Sequence, residues 1–179
     1  MTNGFMTRQT FETISPFLDA CNVDLKSFDR EFYKSACHGR LQPVLDSITG
    51  MKALDIWVEV TTLVIPGQND SDGELQHIAR FIAGVSPEIP WHISRFHQSY
   101  QYGDTIPTPP ETLRKAYRLG KEAGLQFVYV GNMPGEEKDT LCPACSHPLI
   151  ERDSFFAPKS SVSNSRCPKC GSVVPGVFR

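Results

Sequence analysis

Four cysteines near the end of the chain form two short knuckles. Cys142-Pro-Ala-Cys145 and Cys167-Pro-Lys-Cys170 each place two thiols on one tight turn, so both sulfurs of a knuckle can bind the same ion. Two knuckles supply four thiolates in a tetrahedral set, which is the ligand set typical of structural Zn²⁺. We therefore predict a structural zinc site, with a rubredoxin-like iron and a pair of redox dithiols as the alternatives.

The segment around these cysteines is expected to depend on its metal. Residues 136–179 show little apolar periodicity, and so short a segment buries too little surface to fold without a further source of stability. His147 lies beside the first knuckle and is predicted to be a surface residue rather than a ligand. Cys21 and Cys37 each stand alone in the sequence. We expect Cys21 to be a small core residue and Cys37 to be either a core residue or a loop thiol.

The composition is that of a soluble globular protein. Residues are 40% hydrophobic and 21% charged, and the formal net charge is −2, so neither nucleic acid nor an anionic membrane is an expected partner. No apolar run approaches the ~20 residues that span a bilayer, and the first residues lack the order of a secretion signal. We expect a cytoplasmic protein, whose six cysteines serve metal binding or catalysis before disulfides.

A second set of chemically competent side chains follows apolar, β-type runs. Asp24 and Lys26 close one run and point to the same side across Leu25, while His97 and Asn132 follow two later runs. Proteins of the α/β class place their sites at the carboxyl ends of parallel strands. These side chains are therefore candidate site residues; the alternative is that they are ordinary polar loop residues.

Alternation along residues 56–65 separates two faces of one strand. Trp57, Glu59 and Thr61 fall on one face, and Val58 and Val60 fall on the other. The valine face should meet helices, which leaves Glu59 and Thr61 facing the interior of a curved sheet. A carboxylate on a buried strand needs a partner or a role, and an arginine in the interior would be a purely structural partner. No function is assigned to His38, His77 and His92.

The elements that position these residues alternate between strand and helix patterns. The predicted strands are Ala20–Leu25, Ile56–Ile65, Trp91–Phe96 and Phe127–Val130. Helices are predicted before and between them, two of which begin at capping boxes, Ser71 with Glu74 and Thr108 with Glu111. Because a helix between two strands returns the chain to the same end of the sheet, the strands must pair in parallel.

The predicted architecture is α/β, with a partial (β/α) barrel over residues 1–135 and a small zinc-ribbon-like tail with four cysteine ligands over residues 136–179. Four strands are too few to close a barrel of six or eight. Either the sheet is open, or strands precede those visible in the chain.

Four segments of the first region resemble the radical SAM activating enzymes, the group that includes pyruvate formate-lyase activating enzymes. They are Thr2-Asn3-Gly4-Phe5, Asp24-Leu25-Lys26, the run from Trp57 to Asp70, and Ser94-Arg95-Phe96-His97. Their order and their places at strand ends match that family. With the segments TTLVIPGQND, WHISRFH and FVYVGNMPG and the two cysteine knuckles, the chain is most similar to the radical SAM member of the AmmeMemoRadiSam system.

The resemblance implies binding of S-adenosylmethionine (SAM) and, with a 4Fe–4S cluster, formation of a 5′-deoxyadenosyl radical that modifies or activates a partner or substrate. It implies that Asp24 accepts hydrogen bonds from the ribose hydroxyls and that Lys26 meets the SAM carboxylate. His97 would lie near the nucleoside and Asn3 near the methionine end, while Glu59 and Thr61 face the interior. The alternatives are a loop ion pair for Asp24 and Lys26 and a structural histidine at position 97.

The chain departs from that family in one respect. It contains neither the CxxxCxxC motif that holds the cluster nor the family's glycine-rich GGE segment. We therefore expect the C-terminal half of a radical SAM barrel, inactive alone, whose partner is the missing N-terminal half or a protein substrate. Two other functions remain open: a non-catalytic zinc-ribbon module on an α/β scaffold, and a lyase or aldolase in which Lys26 forms a Schiff base.

Overall fold

The computed structural model describes residues 1–98, 103–133, 138–152 and 159–178. Its helices are α1 Arg8–Ile14, α2 Arg30–Ser35, α3 Leu41–Ala53, α4 Asp72–Val85 and α5 Pro110–Glu122. Its strands are β1 Ala20–Asp24, β2 Trp57–Val64, β3 Trp91–Arg95, β4 Val128–Gly131, β5 Thr140–Leu141, β6 Pro148–Glu151 and β7 Lys159–Ser160. The four predicted strands are confirmed to within two residues at each end. Helix α2 and the short strands of the tail have no counterpart among the elements predicted from the sequence.

Strands β1 to β4 form one parallel sheet in the order β1-β2-β3-β4, and Thr2 adds a parallel bridge to Val23 beside β1. The register aligns Asp24, Thr61, His92 and Tyr129 in one row across the four strands. Strands β5, β6 and β7 form a separate antiparallel sheet. The predicted partial parallel sheet with a small C-terminal cysteine segment is therefore confirmed.

The helices pack on one face of the parallel sheet. In β2, Val58, Val60, Thr62 and Val64 are buried, and the residues between them are only half-buried. Side chains of α3, α4 and α5 share a single core with the buried strand residues, including Val60 and Ile93. The opposite face carries Glu59 and Thr61 among its alternate residues, and its side chains keep part of their contact with water, whereas those on the helix side lose it. Helices on a single face are expected of a barrel wall and not of a doubly wound sheet.

One of the two predicted capping boxes forms only in part. The Ser71 hydroxyl accepts a hydrogen bond from the Glu74 backbone N–H and caps α4, as predicted. The Glu74 carboxylate does not turn back to Ser71; it accepts hydrogen bonds from the Ser27 hydroxyl at 2.5 Å and from the Phe28 backbone N–H. This carboxylate therefore ties α4 to the loop that follows β1.

The second predicted capping box is wrong. Helix α5 begins after Pro109, and no side chain caps it. The fully buried Thr108 hydroxyl instead donates to the Val64 carbonyl at 2.6 Å and accepts from the Phe96 backbone N–H at 3.0 Å. A buried hydroxyl requires partners, and the strand ends supply them. Thr108 thus joins the carboxyl ends of β2 and β3.

Asn69 forms a similar clamp between β1 and β2. Its side chain is buried, with the Oδ1 atom accepting from the Ile65 N–H at 2.7 Å. The Nδ2 atom donates to the carbonyls of Lys26 at 2.6 Å and Leu63 at 2.9 Å. Three hydrogen bonds from one buried amide fix the carboxyl ends of both strands relative to each other.

The predicted boundary between residues 135 and 136 lies outside the described residues. Among the residues that are described, no helix combines the length and the apolar character needed to cross a bilayer.

Two glycine substitutions should change stability in opposite directions. A Cβ atom on Gly50 of α3 would lie 2.5 Å from the Phe11 ring of α1, whereas a Cβ on Gly84 of α4 would meet no atom within 4 Å. We expect Gly50→Ala to destabilise the protein by about 1–3 kcal/mol through overpacking. Gly84→Ala should stabilise it by up to about 1 kcal/mol, because alanine favours the helix. Urea unfolding of both variants measures the effect, and a stabilising Gly50→Ala would contradict the tight α1–α3 contact.

Candidate functional site

Asp24 and Lys26 form an ion pair at the carboxyl end of β1. The Lys26 Nζ atom lies 2.8 Å from Asp24 Oδ2, and the two side chains, Lys26 and Asp24, are 37% and 20% exposed. Thr61 is the register neighbour of Asp24 on β2, and its hydroxyl donates to Asn22 Oδ1 at 2.9 Å. The structure therefore brings three of the predicted site residues together on the helix-free face.

The backbone beneath this ion pair is fixed while the charged groups remain accessible. The Lys26 N–H donates to the Tyr33 hydroxyl oxygen at 3.0 Å, and the Lys26 carbonyl is held by Asn69. Burial raises the pKa of Tyr33 to about 12, so the phenol stays neutral. The strand end is thereby held in place, and the partly exposed ammonium and carboxylate can exchange their mutual contact for a ligand.

Asn3 lies on the far side of β1 from β2. Its side-chain oxygen accepts from the Phe5 N–H at 3.0 Å, which closes a local turn. Asn3 and Lys26 line one cavity of about 440 Å³, together with Tyr33 and Cys37. The polar edge therefore continues from Lys26 into a recess large enough for a small organic molecule.

His97 lies at the same carboxyl edge, farther along the sheet. Its Nε2 atom is 3.2 Å from the Asn132 carbonyl oxygen, and Asn132 in turn donates to the Ser94 hydroxyl at 3.0 Å. Asn132 has a φ of 59°, a left-handed conformation that asparagine tolerates. The parent strands of Asp24 and His97 are separated by two strand spacings, about 10 Å. The two side chains share an edge without touching.

Glu59 lies deeper, toward the amino end of β2. Its carboxylate oxygens contact His92 Nε2 at 2.8 Å and Trp57 Nε1 at 3.1 Å. The hydrogen bond with His92 is the main reason why the pKa of Glu59 lies below its ordinary value. The partner of Glu59 is thus a histidine, and the arginine that the sequence suggested, here Arg152, acts on it only through longer-range attraction.

Sequence reasoning missed several residues of this face. His92 and Ser94 of β3 alternate with the fully buried Trp91 and Ile93, and Tyr129 of β4 occupies the same row as His92. The alternation that placed Glu59 and Thr61 would have found His92 and Ser94 as well. The position of Tyr129 beside them follows from the strand register, which the sequence alone did not provide.

The four tail thiols converge as predicted. Their sulfur atoms all lie within 4.8 Å of one another, with 3.7 Å between Cys142 and Cys170 and 3.7 Å between Cys145 and Cys167. A tetrahedron with metal–sulfur bonds of about 2.3 Å has sulfur–sulfur edges of about 3.8 Å. The arrangement fits one tetrahedral ion such as Zn²⁺, and iron satisfies the same sulfur set.

The two knuckles have the same backbone geometry. The N–H of Cys142 donates to the His147 carbonyl and that of Cys167 to the Ser172 carbonyl, both at 2.9 Å. Ser146 and Gly171 each follow a second cysteine with a positive φ, of 57° and 73°. These turns aim paired sulfurs inward. His147 contributes its carbonyl to a turn and, within the described part of the chain, is not one of the clustered ligand side chains.

The residues do not fit a 4Fe–4S cluster in addition to this ion. Cys21 is half-buried in β1 and Cys37 is exposed near α2, and the described residues contain no second group of clustered thiols. A cluster needs several cysteine thiolates at one point. The chemistry of such a cluster therefore has no ligand set in the described part of this chain.

Comparison with known proteins gives one curated relative and two informative solved structures. No family model matches the chain. The "Uncharacterized protein MJ0808" of Methanocaldococcus jannaschii is 41% identical over 178 residues, covering 97% of this chain and 53% of the relative. The chain thus spans about half the length of the curated relative that it matches.

The solved structures show the fold. A domain of pyruvate-formate lyase-activating enzyme from Bacteroides vulgatus superposes with a TM-score of 0.65 at 17% identity, covering 73% of this chain and 79% of that domain. A radical SAM methyltransferase from Sphaerobacter thermophilus superposes with a TM-score of 0.59 at 14% identity, covering 72% of this chain and 39% of that protein. The chain has a radical SAM-like α/β fold.

Loss of one tail cysteine should abolish metal binding. We expect Cys142→Ser to lose the bound ion, because a serine hydroxyl does not replace a thiolate in a tetrahedral sulfur site. Cys37→Ser, the matched control, should keep one ion per chain. Zinc content by mass spectrometry, with Co²⁺ absorption as a second measure, tests both variants. Retention of one ion by Cys142→Ser would contradict the four-thiol site.

The Glu59–His92 pair should make stability depend on acid pH. The pKa of Glu59 in the folded protein lies below the ordinary value of a glutamate. The ionised carboxylate therefore stabilises the fold at pH values above that ordinary value, and this stabilisation is lost as the pH falls through the lowered pKa. We expect His92→Phe to show a smaller loss of unfolding free energy between about pH 5 and pH 3 than the unaltered protein. The exposed His77 provides a control substitution, His77→Phe, and an equal pH dependence in all three proteins would argue against the pairing.

Proposed function

We propose that this chain is the C-terminal part of a radical SAM enzyme of the activating type, and that it binds SAM at the carboxyl edge of its parallel sheet. The observation that supports this most is the Asp24–Lys26 ion pair, accessible on the helix-free face of a radical SAM-like sheet. The narrower resemblance to the radical SAM member of the AmmeMemoRadiSam system is part of the same proposal, as is a reducing, cytoplasmic location that keeps the thiols free.

The polar groups of this edge complement those of SAM. The Asp24 carboxylate accepts hydrogen bonds from the two ribose hydroxyls, and the Lys26 ammonium meets the carboxylate of the methionyl group. Asn3 lies on the Lys26 side of the edge, where the cavity opens, and is assigned to the methionyl end. His97 lies two strands away and is assigned to the nucleoside end. Thr61 lies beside Asp24 in the strand register, and its hydroxyl is bound to Asn22.

Glu59 has a supporting role in this proposal. Its carboxylate lies one row below Thr61 and is occupied by His92 and Trp57. It therefore forms part of the floor beneath the SAM site and contributes negative charge there.

When bound, SAM together with a 4Fe–4S cluster supplies the radical chemistry that modifies or activates a protein or small substrate. The residues of this chain bind and orient SAM. The cluster ligands belong to another polypeptide segment, since the described cysteines do not provide them.

That segment is the proposed partner, a complementary half-barrel. Thr2 already pairs in parallel with β1, so a further strand on its outer side would extend the sheet in the same sense. A recess of about 620 Å³ lies between α1 and α3 next to this edge, with Met6, Phe11 and Leu54 among its lining residues. The archaeal relative has nearly as much chain again outside the matched region, which is enough for such a half.

A non-catalytic zinc module is the second candidate, and one observation favours it. The four thiols already have the geometry of a closed structural site, while the described residues offer no cluster ligands. On this view the α/β region would be a scaffold without SAM chemistry.

Co-expression distinguishes the two functions. The chain is produced anaerobically with the unmatched part of the archaeal relative, and iron content, colour and cleavage of SAM are measured. We expect a brown complex that cleaves SAM. Asp24→Asn should weaken SAM binding about 10- to 100-fold, since a charge-assisted hydrogen bond contributes about 1.5–3 kcal/mol. Asp55→Asn, an exposed position with positive φ where asparagine fits, is the control. A colourless zinc complex that does not bind SAM would favour the second function.

A further inference from the structure

Tyr129 connects the parallel sheet to the tail. It projects from β4, and its hydroxyl lies 2.8 Å from the Thr140 hydroxyl of β5. The guanidinium carbon of Arg152, just after β6, lies 4.9 Å from the centroid of the Tyr129 ring, within cation–π range. Arg152 also donates to the Thr140 hydroxyl at 2.8 Å and to the Lys138 carbonyl at 2.9 Å. Two tail strands are thus fastened to one aromatic side chain of the sheet.

The contacts continue from Tyr129 across the helix-free face. Its ring centroid lies 5.1 Å from that of His92, and His92 in turn contacts Glu59, which accepts from the Trp57 indole. An unbroken series of side-chain contacts therefore runs from the tail over β4 and β3 to β2. It runs through residues near the amino ends of β2, β3 and β4, and its His92 and Tyr129 lie in the same register row as Asp24, two and three strands away from it.

The end of the tail covers this series. A cavity of about 160 Å³ has Trp57, Glu59 and His92 on one wall, and residues 174–178 on the other. Within the described residues, no buried side-chain nitrogen or oxygen lacks a hydrogen-bond partner. Since its polar groups already satisfy one another, the cavity is better explained as a closed contact between tail and sheet than as a ligand site.

The four thiols hold both parts of this cover. Val174 belongs to the small buried cluster that contains Leu149 and the thiols of Cys142 and Cys167, and Phe178 packs against the same cluster. Arg152 follows β6, which begins shortly after the first knuckle. A core of so few side chains is stable only with its metal. The ion that joins the knuckles therefore also fixes Arg152 and residues 174–178.

We propose that the metal on the four thiols controls access to the amino-terminal half of the helix-free face. With metal bound, Arg152 and residues 174–178 cover Trp57, Glu59 and His92; without it, the cover leaves and this part of the face meets water. The tail is thus a metal-dependent plug for one end of the half-barrel. This inference rests on the four-thiol metal site described above and does not require the SAM binding of the proposed function.

The two tryptophans of the chain provide the test. Trp91 is fully buried in the sheet core, so a change in quenching by neutral acrylamide reports on the half-buried Trp57. We expect removal of Zn²⁺ by a chelator to increase the acrylamide quenching constant about twofold or more, and added Zn²⁺ to reverse it. One Zn²⁺ per chain with unchanged quenching would overturn the plug and leave the metal site intact. No bound Zn²⁺ would overturn both.

Substitution of Arg152 tests the fastening separately. Arg152→Met should bind Zn²⁺ normally, yet its zinc form should be quenched like the zinc-free protein, because the contacts to Tyr129 and Thr140 are gone. Lys159→Met removes an exposed positive charge from β7 of the same tail and should behave as the unaltered chain does. If Arg152→Met retains the zinc-dependent protection of Trp57, the assignment of Arg152 as the fastening residue is wrong. The measurement on the unaltered chain stands whether or not this variant folds.

Discussion

The strict alternation of burial along β2 is the constraint on which the rest of the structure depends. Val58, Val60 and Val64 enter the core shared with α3, α4 and α5, and Thr62 between them is buried as well. Burial of this apolar surface holds the helices on one side, at roughly 25 cal/mol per Å² removed from water. The other side chains, Glu59 and Thr61 among them, must then share a helix-free face. The polar character of that face is a direct consequence of how the core is built.

Buried polar clamps give the carboxyl edge its rigidity. Asn69 joins the ends of β1 and β2, Thr108 joins those of β2 and β3, and Glu74 holds the loop after β1. Each clamp satisfies backbone groups that would otherwise be buried without partners at the strand ends. The edge can therefore present Asp24 and Lys26 on a fixed backbone while their charged groups remain accessible. A fixed backbone that carries accessible charged groups suits a site that must orient a ligand with both positively and negatively charged groups.

The tail is stabilised in a different way from the parallel sheet. Its few apolar side chains cannot form an adequate core, and four thiols brought within 4.8 Å of one another offer a metal in its place. Because Arg152 and residues 174–178 extend from this centre onto the sheet, the metal acts on the α/β region as well as on the tail. The two ends of the half-barrel thus have different roles, with a candidate ligand edge at the carboxyl ends of the strands and a plug at the amino ends.

The sequence by itself determined the elements that rest on local periodicity: the four parallel strands, the longer helices α3, α4 and α5, and two cysteine knuckles whose spacing permits one ion. It also indicated the inward side of β2, since a period of two separates faces without knowledge of the neighbours. Only the tertiary structure decided which residues distant in the sequence contact each other. Glu59 and His92 are 33 positions apart in the chain, and the buried contacts of Thr108 and the position of Arg152 over Tyr129 likewise depend on strand register and on packing of the tail. Partners so distant in sequence leave no local pattern, because only the register of separate strands and the packing of the tail bring them into contact.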